Sequence, residues 1–363
     1  MGLGPSEERW YHSANIVWGA CLRSILSLAC VRALLVNVEI GLAVLFVLAF
    51  GNGANDVGKS VAALMMDPDT AAFKPRYAPL IWGGLFSGLG SILAIIISVR
   101  LFSAFTPQSF FQTTPGFSFI LAALVGAASW ILIATLLRIQ VSTTHAIVGA
   151  IIVQAIYLLG ASSLEWTFLI WRILLPLAAG PFVALFGVYI ISRLFRKRDT
   201  EVDEPSSRRL GMADWGSAAG VAFARGVNDA PKMAALGAFL LLGTSEDGVL
   251  LPYIVVGVAV VAGSLVWGDR VAKTLIGHTP LHRGHRLKAH AATAVLVSAG
   301  SYFGDAFSTT HVSEGAAAGH HGKKGRQFLG SALRGMALAW MVTLPAAGLL
   351  AIVASILGTR FWG

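Results

Sequence analysis

One pair of polar elements occurs twice in this sequence, in the same order, and that duplication limits the fold more than any other feature. Residues 53–60 read Gly-Ala-Asn-Asp-Val-Gly-Lys-Ser and residues 226–233 read Gly-Val-Asn-Asp-Ala-Pro-Lys-Met. Residues 141–150 begin Val-Ser-Thr-Thr-His and residues 307–316 begin Phe-Ser-Thr-Thr-His. A weaker echo runs from Trp171 to Pro176 and from Trp340 to Pro345. Repeats at nearly constant offset mark duplicated architecture. Two repeats follow, 34–192 and 211–363, joined by a hydrophilic basic linker at 193–210 that is expected in the cytoplasm. Residues 1–33 precede them. Within that segment 11–33 is apolar but carries Arg23 and Arg32, and an extra span, a surface helix and an extension outside the fold all stay open.

The medium in which these repeats fold is set by composition. The chain has 363 residues, of which 56% are hydrophobic and 12% charged, with mean hydropathy +0.72. A soluble domain carries about 25% charged residues. The runs Ala78–Val99, Phe117–Leu137 and Pro176–Ser192 approach or exceed the ~20 apolar residues that cross a bilayer. Forty glycines suit close-packed membrane helices. The formal charge of +9 would suggest nucleic acid in a soluble protein. Here the basic residues lie in short loops, so positive-inside bias accounts for them and no nucleic-acid partner is expected. Cys21 and Cys30 both precede the repeats, which excludes a cysteine-based metal or redox centre in the body of the chain. The expected fold class is all-α: a polytopic protein of the plasma (inner) membrane with about ten transmembrane helices.

Loop charge relates the two repeats. Lys74 and Arg76 follow the first Asn-Asp element, whereas 243–248 after the second has no basic residue. The next loop has only Arg100, against Arg270, Lys273, Arg283, Arg286 and Lys288 in its counterpart. After the Ser-Thr-Thr-His elements, 160–166 has no basic residue, while Lys323, Lys324 and Arg326 follow the second. The bias reverses at every equivalent position, which reads as an inverted-topology repeat of five crossings per half.

Residues 53–60 also match the nucleotide-binding pattern G-x-x-x-x-G-K-S, but that loop needs a strand before it and an α/β domain around it. An apolar run precedes it here, and the second copy has Pro231 and Met233 at required positions. The polar residues instead read as a transport pathway, because such groups are costly in a membrane. Gly51, Gly53, Gly58, Gly226 and Pro231 are expected to interrupt their helices and free backbone groups for ions. Asp56 and Asp229 offer hard carboxylate oxygen to a cation. Asn55 and Asn228 offer both a carbonyl and an amide. Ser142, Thr143, Thr144, Ser308, Thr309 and Thr310 offer hydroxyls to an anion or a metal, or cap helices. His145 and His311 read as hydrogen-bonding partners on a helix face, and Arg225 either holds the anion or pairs with a carboxylate. His278, His282, His285, His290, His320 and His321 lie in or beside basic loops and are expected to be solvated or lipid-facing. Lys59 and Lys232 each snorkel to an interface, pair with the aspartate three positions before, or supply fixed positive charge to an anion site.

These paired motifs resemble the duplicated signature of the inorganic phosphate transporter (PiT) family, over nearly the whole chain beyond residue 36. The resemblance implies a non-enzymatic symporter for inorganic phosphate, coupled to Na+ or H+ by alternating access. It places the site on Asn55, Asp56, Ser142, Thr143, Thr144, Asn228, Asp229, Ser308, Thr309 and Thr310, with no cofactor beyond a coupling Na+. The family's usual first copy continues Asn-Asp-Val-Ala-Asn where this chain has Gly58-Lys59. Ala224-Arg225-Gly226-Val-Asn-Asp-Ala-Pro-Lys is similar to a branch that includes sulfate permeases, so sulfate is the alternative anion. An ion channel is the competing class, and a homodimer is left open. The two Asn-Asp elements are expected to meet near the membrane midplane.

Overall fold

An apolar backbone in a lipid environment has few ways to satisfy its own hydrogen bonds, and the helix is the one available to a single segment. The computed structural model describes residues 36–67, 72–194, 211–242, 249–275, 283–319 and 323–362, and among them there is helix and no strand, only two isolated bridges. Eleven helices carry the argument. In the first half they are α1 (Val36–Met65), α2 (Tyr77–Ile97), α3 (Phe117–Leu136), α4 (Thr143–Leu158) and α5 (Trp166–Leu194). In the second they are α6 (Met212–Leu242), α7 (Leu250–Leu275), α8 (Arg283–Phe303), α9 (Thr309–Ala318), α10 (Lys323–Leu338) and α11 (Leu344–Trp362). The expectations for residues 1–33, for most of the linker, and for His278, His282, His320 and His321 fall outside the described residues.

Six described helical segments are long and apolar enough to cross a membrane: α1, α2, α3, α5, α7 and Leu333–Gly358. Their outward faces are apolar: Ile96, Phe186, Val266 and Met341 are all strongly exposed. Such a continuous apolar exterior marks a surface that faces something other than water. The chain is an integral, multi-pass membrane protein.

The expected interruption of the Asn-Asp helices is overturned. Backbone helix runs unbroken through Gly51, Gly53 and Gly58 in α1 and through Gly226 and Pro231 in α6. The glycines serve close approach instead. A Cβ at Gly53 would fall on the Val260 carbonyl of α7, and one at Gly226 on the Ser87 carbonyl of α2. Each Asn-Asp helix thus presses its backbone against the second helix of the opposite half. Pro231 has no N–H to give to the Val227 carbonyl one turn earlier, and the Ser98 hydroxyl donates to that carbonyl at 2.9 Å. A partner from a neighbouring segment therefore lets the helix tolerate its proline.

The breaks fall elsewhere, between α3 and α4 and between α8 and α9. Each is a short turn with one left-handed residue, Arg138 (φ 60) in the first half and Gly304 (φ 84) in the second. Each next helix starts at a serine N-cap, Ser142 or Ser308, whose side chain accepts from His145 N or His311 N. Ser and Thr at this position satisfy an otherwise free helix N–H. The Trp-to-Pro echo has a structural counterpart as well: π-helical turns occupy Leu169–Leu174 and Ala339–Thr343, just before Pro176 and Pro345.

Candidate functional site

The residues singled out by the repeat come together in one buried polar cluster. α4 and α9 start at the same place from opposite halves, and Ser142 Oγ and Ser308 Oγ lie 2.9 Å apart. The first helical residues, Thr143, Thr144, Thr309 and Thr310, are all buried around that point. Two helix N-termini therefore converge, each bringing partial positive charge and N–H groups with no intrahelical acceptor.

Asn-Asp-x-x-Lys supplies the rest, and its spacing explains why. On a helix, residues three or four apart share a face, so asparagine, aspartate and lysine project together from α1 and again from α6. Lys59 forms an ion pair with Asp56, hydrogen-bonds the Val141 carbonyl at 3.1 Å and reaches Thr310 Oγ1 of the other half at 2.5 Å. Lys232 repeats this with Asp229 at 3.5 Å, the Phe307 carbonyl at 2.9 Å and Thr144 Oγ1 at 2.7 Å. Each lysine thus joins its own aspartate, its own half's turn and the opposite half's threonine. Neither snorkels to an interface. Breaking such a buried pair by deleting one partner typically costs about 3–5 kcal/mol, because a charge is left without compensation.

Asn55 and Asn228 spend their polar groups on the protein. Asn55 donates to Thr135 Oγ1 at 3.0 Å and the Ile139 carbonyl at 2.9 Å, and accepts from Val141 N at 3.0 Å. Asn228 donates to Asp229, the Phe307 carbonyl and Thr309 Oγ1, and accepts from Ser301 Oγ at 3.2 Å. Both asparagines pin the turn that aims a Ser-Thr-Thr helix at the centre. His145 and His311 meet edge to face behind the serine caps with ring centroids 4.6 Å apart, and His145 Nδ1 lies 2.9 Å from Ser142 Oγ. Trp340 packs edge-on against His145 at 5.2 Å.

Sequence reasoning passed over Asn52. It donates to Thr143 Oγ1 at 2.9 Å and to Asp229 Oδ2 at 3.2 Å, linking the first half to the second aspartate. The available signal was its place one helical turn before Asn55. Its equivalent in the second repeat is Arg225, fully buried, which donates through Nε and Nη2 to Ser87 Oγ at 3.1 and 2.6 Å. Arg225 Nη1 is buried with no hydrogen-bond partner. It forms no ion pair among the described residues, so the expectation that it pairs with a carboxylate is not met.

Two expectations about histidines are also corrected. His285 and His290 sit within α8, and both hydrogen-bond within the protein rather than standing free beside a loop. His285 is buried with Nε2 2.9 Å from the Ala317 carbonyl, and His290 Nδ1 lies 2.9 Å from Ser217 Oγ. Nearby, Asp214 is buried between Arg283 and Arg286 at 3.0 and 2.6 Å, a structural ion-pair cluster that ties the start of α6 to α8. Among the described residues no group of three His, Cys, Asp or Glu side chains is arranged to hold a metal ion.

Comparison with known proteins agrees with this organisation. The sequence profile of the phosphate transporter family matches residues 52–213 and 196–351. The "Probable low-affinity inorganic phosphate transporter" of Mycobacterium tuberculosis (strain H37Rv) is 29% identical over 83% of this chain and 72% of its own length. Proteins of the same description from Bacillus subtilis and Rhizobium meliloti are 28% and 27% identical, over 84% and 83% of this chain and 92% and 90% of theirs. A solved structure of a sodium-dependent phosphate transporter superposes with a TM-score of 0.75, over 90% of this chain and 99% of that one. Identity with it is 18%, so that likeness concerns the fold. The chain belongs to the phosphate transporter family.

Proposed function

We propose that this family member is a secondary active symporter that brings inorganic phosphate across the plasma (inner) membrane by alternating access. The observation that carries the reading is the convergence of two serine-capped helix N-termini, 2.9 Å apart at their caps, with a buried arginine of unpartnered Nη1 within the field of Asp56 and Asp229. Oxyanions bind where helix N–H groups and a guanidinium converge. Ser142, Thr143, Thr144, Ser308, Thr309 and Thr310 would line the anion site, with Arg225 facing it. Asp56, Lys59, Asp229 and Lys232 would set its charge, and Asn55 and Asn228 its geometry.

Charge favours phosphate over sulfate. Three buried cations (Lys59, Arg225, Lys232) and two carboxylates (Asp56, Asp229) leave a net +1, which a monoanion neutralises. Inorganic phosphate near neutral pH is divided between a monoanion and a dianion, so a monoanion is available, and both forms keep an O–H to donate to a carboxylate. Sulfate is a dianion with none, so a buried carboxylate beside it repels. The Arg225 segment, similar to that of sulfate permeases, keeps sulfate as the second reading.

The coupling cation is the finer part of the proposal. In each half a lysine ammonium occupies the position beside the aspartate that a sodium ion would take. This supports coupling to protons rather than Na+. Ten crossings in two inverted repeats, 34–192 and 211–363 about the 193–210 linker, fit the reversed loop charge. They fit equally the matched contacts of Lys59 with Lys232 and of Ser142 with Ser308. Such a pair of repeats can rock about a central site and open it to each side in turn.

The test is uptake of radiolabelled phosphate into proteoliposomes, with unlabelled phosphate, arsenate and sulfate as competitors. Arsenate should compete nearly as well as phosphate, and sulfate weakly. Stronger competition by sulfate than by phosphate would transfer the assignment to sulfate. Uptake that never exceeds equilibrium under any imposed gradient would indicate a channel.

A further inference from the structure

The two lysine–aspartate arms share most of their contacts, yet among the described residues Glu314 faces only the Lys59 arm. Glu314 lies on α9, two turns from its serine cap. The equivalent position of α4 is Val148, which is fully buried in apolar surroundings. Glu314 and Lys59 line one cavity of about 70 Å³, together with Gln140, His290 and Thr293. Leu275 and Ala317, in the last turns of α7 and α9, close its other end. Lys232 lines no such cavity among those described, and its side chain is completely enclosed.

The glutamate itself is unusually placed. Its Oε2 is sequestered from solvent and has no hydrogen-bond partner, and the carboxylate lies over Gly335 of α10. No ion pair holds it among the described residues. The charged and titratable groups around it are otherwise engaged. Lys59 of α1, whose field reaches it, is bound to Asp56 and Thr310. On α8, His290 bonds Ser217 and Arg286 is paired with Asp214. On its own helix His311 lies one turn back, edge to face with His145. On α5, Arg193 bonds Tyr189, and on α10, Arg334 bonds the Gly330 carbonyl of its own helix. A half-buried carboxylate with one oxygen shielded from water and unpaired is held more cheaply as the neutral acid. An intramembrane acid without a fixed partner is by default functional.

We propose that Glu314 carries the proton cotransported with the anion, taking it from water in this cavity while the cavity is open to one side of the membrane and returning it once the cavity is open to the other, and that its charge decides how firmly Lys59 stays on Asp56. In the uptake step a hydronium O–H bond breaks and a Glu314 carboxyl O–H bond forms, leaving water. In the release step the carboxyl O–H breaks and a cavity water takes the proton. With Glu314 neutral, Lys59 has Asp56 as its only carboxylate and bridges to Thr310 of the opposite half. With Glu314 ionised, two carboxylates compete for one ammonium and the bridge between the halves weakens. Coupling then resides in the first-half arm alone, and the second arm is a fixed charge pair. This rests on the phosphate-transport reading.

The experiment uses purified full-length protein in proteoliposomes with sodium replaced by choline. Wild type and Glu314→Gln are compared in two assays: uptake of labelled phosphate driven by an outside-acid gradient, and phosphate counterflow with no gradient. Wild type should accumulate phosphate, at most about tenfold per pH unit for one proton. Glu314→Gln should lose accumulation and keep counterflow, since the amide retains shape but cannot exchange a proton. Glu314→Asp should restore accumulation in part. Accumulation by Glu314→Gln equal to wild type overturns the proposal. So does joint loss of accumulation and counterflow, which would make Glu314 structural, and so does wild-type accumulation driven by sodium alone. Absence of phosphate counterflow in wild type would overturn the phosphate reading as well, and is distinguished because the wild type itself is silent.

Discussion

The two halves hold the same Asn-Asp-x-x-Lys motif in different settings, and the contrast separates what the motif does from what its surroundings do. In both, lysine bridges its own aspartate, its own turn and the opposite threonine. That common part is the joint between the halves. The surroundings then diverge. Asp229 receives Asn52 from the first half, whereas the equivalent residue, Arg225, turns to Ser87 and keeps one nitrogen unpartnered. Lys59 borders a cavity with Glu314, whereas Lys232 is sealed and lies 6.0 Å from the Phe105 ring. The two motifs therefore share one set of contacts, and the residues that surround them differ from one arm to the other.

The largest effect should come from removing either aspartate. Asp229→Asn and Asp56→Asn each leave a buried lysine without its counter-ion, a loss of about 3–5 kcal/mol. Uptake at matched membrane protein level should fall by at least about 100-fold in both. Wild-type uptake by either would mean that its arm takes no part in transport. The lysines should separate the arms. Lys232→Met strands Asp229 where no water reaches, while Lys59→Met opens Asp56 to the cavity. The thermal unfolding midpoint should drop several degrees further for Lys232→Met, as a difference of about 1–2 kcal/mol implies. Lys59→Asn should also make uptake respond to added sodium, and Lys232→Asn should not. Equal behaviour of the two would remove the asymmetry between the arms.

Arg225→Lys tests the anion side. A lysine cannot reproduce the guanidinium fork that grips Ser87 while leaving one nitrogen free. The apparent KM for phosphate should rise about tenfold, a loss near 1.4 kcal/mol, with the maximal rate less affected. An unchanged KM would take Arg225 out of the site. The smallest effect compares the two turns. Gly304→Ala places a side chain at φ 84, facing the Arg100 backbone, and Arg138→Gly relieves a non-glycine residue at φ 60. The first should destabilise by about 1 kcal/mol and the second should be neutral or stabilising by less than that. The opposite order, read from unfolding midpoints, would mean that the two turns are not equivalent.

Much of the site was legible because it is written twice. The spacing that puts Asp56 and Lys59, or Asp229 and Lys232, on one helix face follows from helix geometry, and the serine caps from the Ser-Thr-Thr pattern. Less legible were the helix interruptions. Glycine and proline inside a run read as breaks, but Gly53 and Gly226 admit a neighbouring backbone, and Ser98 compensates Pro231. Neither neighbour is near in sequence. Asn52 and Glu314 were missed for a similar reason. Each is a lone polar residue whose value depends on what faces it from another helix: Asp229 for one, the Lys59 cavity for the other.

The sequence by itself determined that the chain lives in a membrane, that it is helical, and that two copies of one unit carry matched acid, base and hydroxyl groups. Those follow from composition, from the backbone's need for internal hydrogen bonds, and from local spacing. Tertiary structure alone decided which partner each group meets. Lys59 finds Thr310 and Lys232 finds Thr144 across 251 and 88 residues of chain. Contacts of that range depend on how helices pack, and packing is set by the whole set of facing surfaces, not by any one segment.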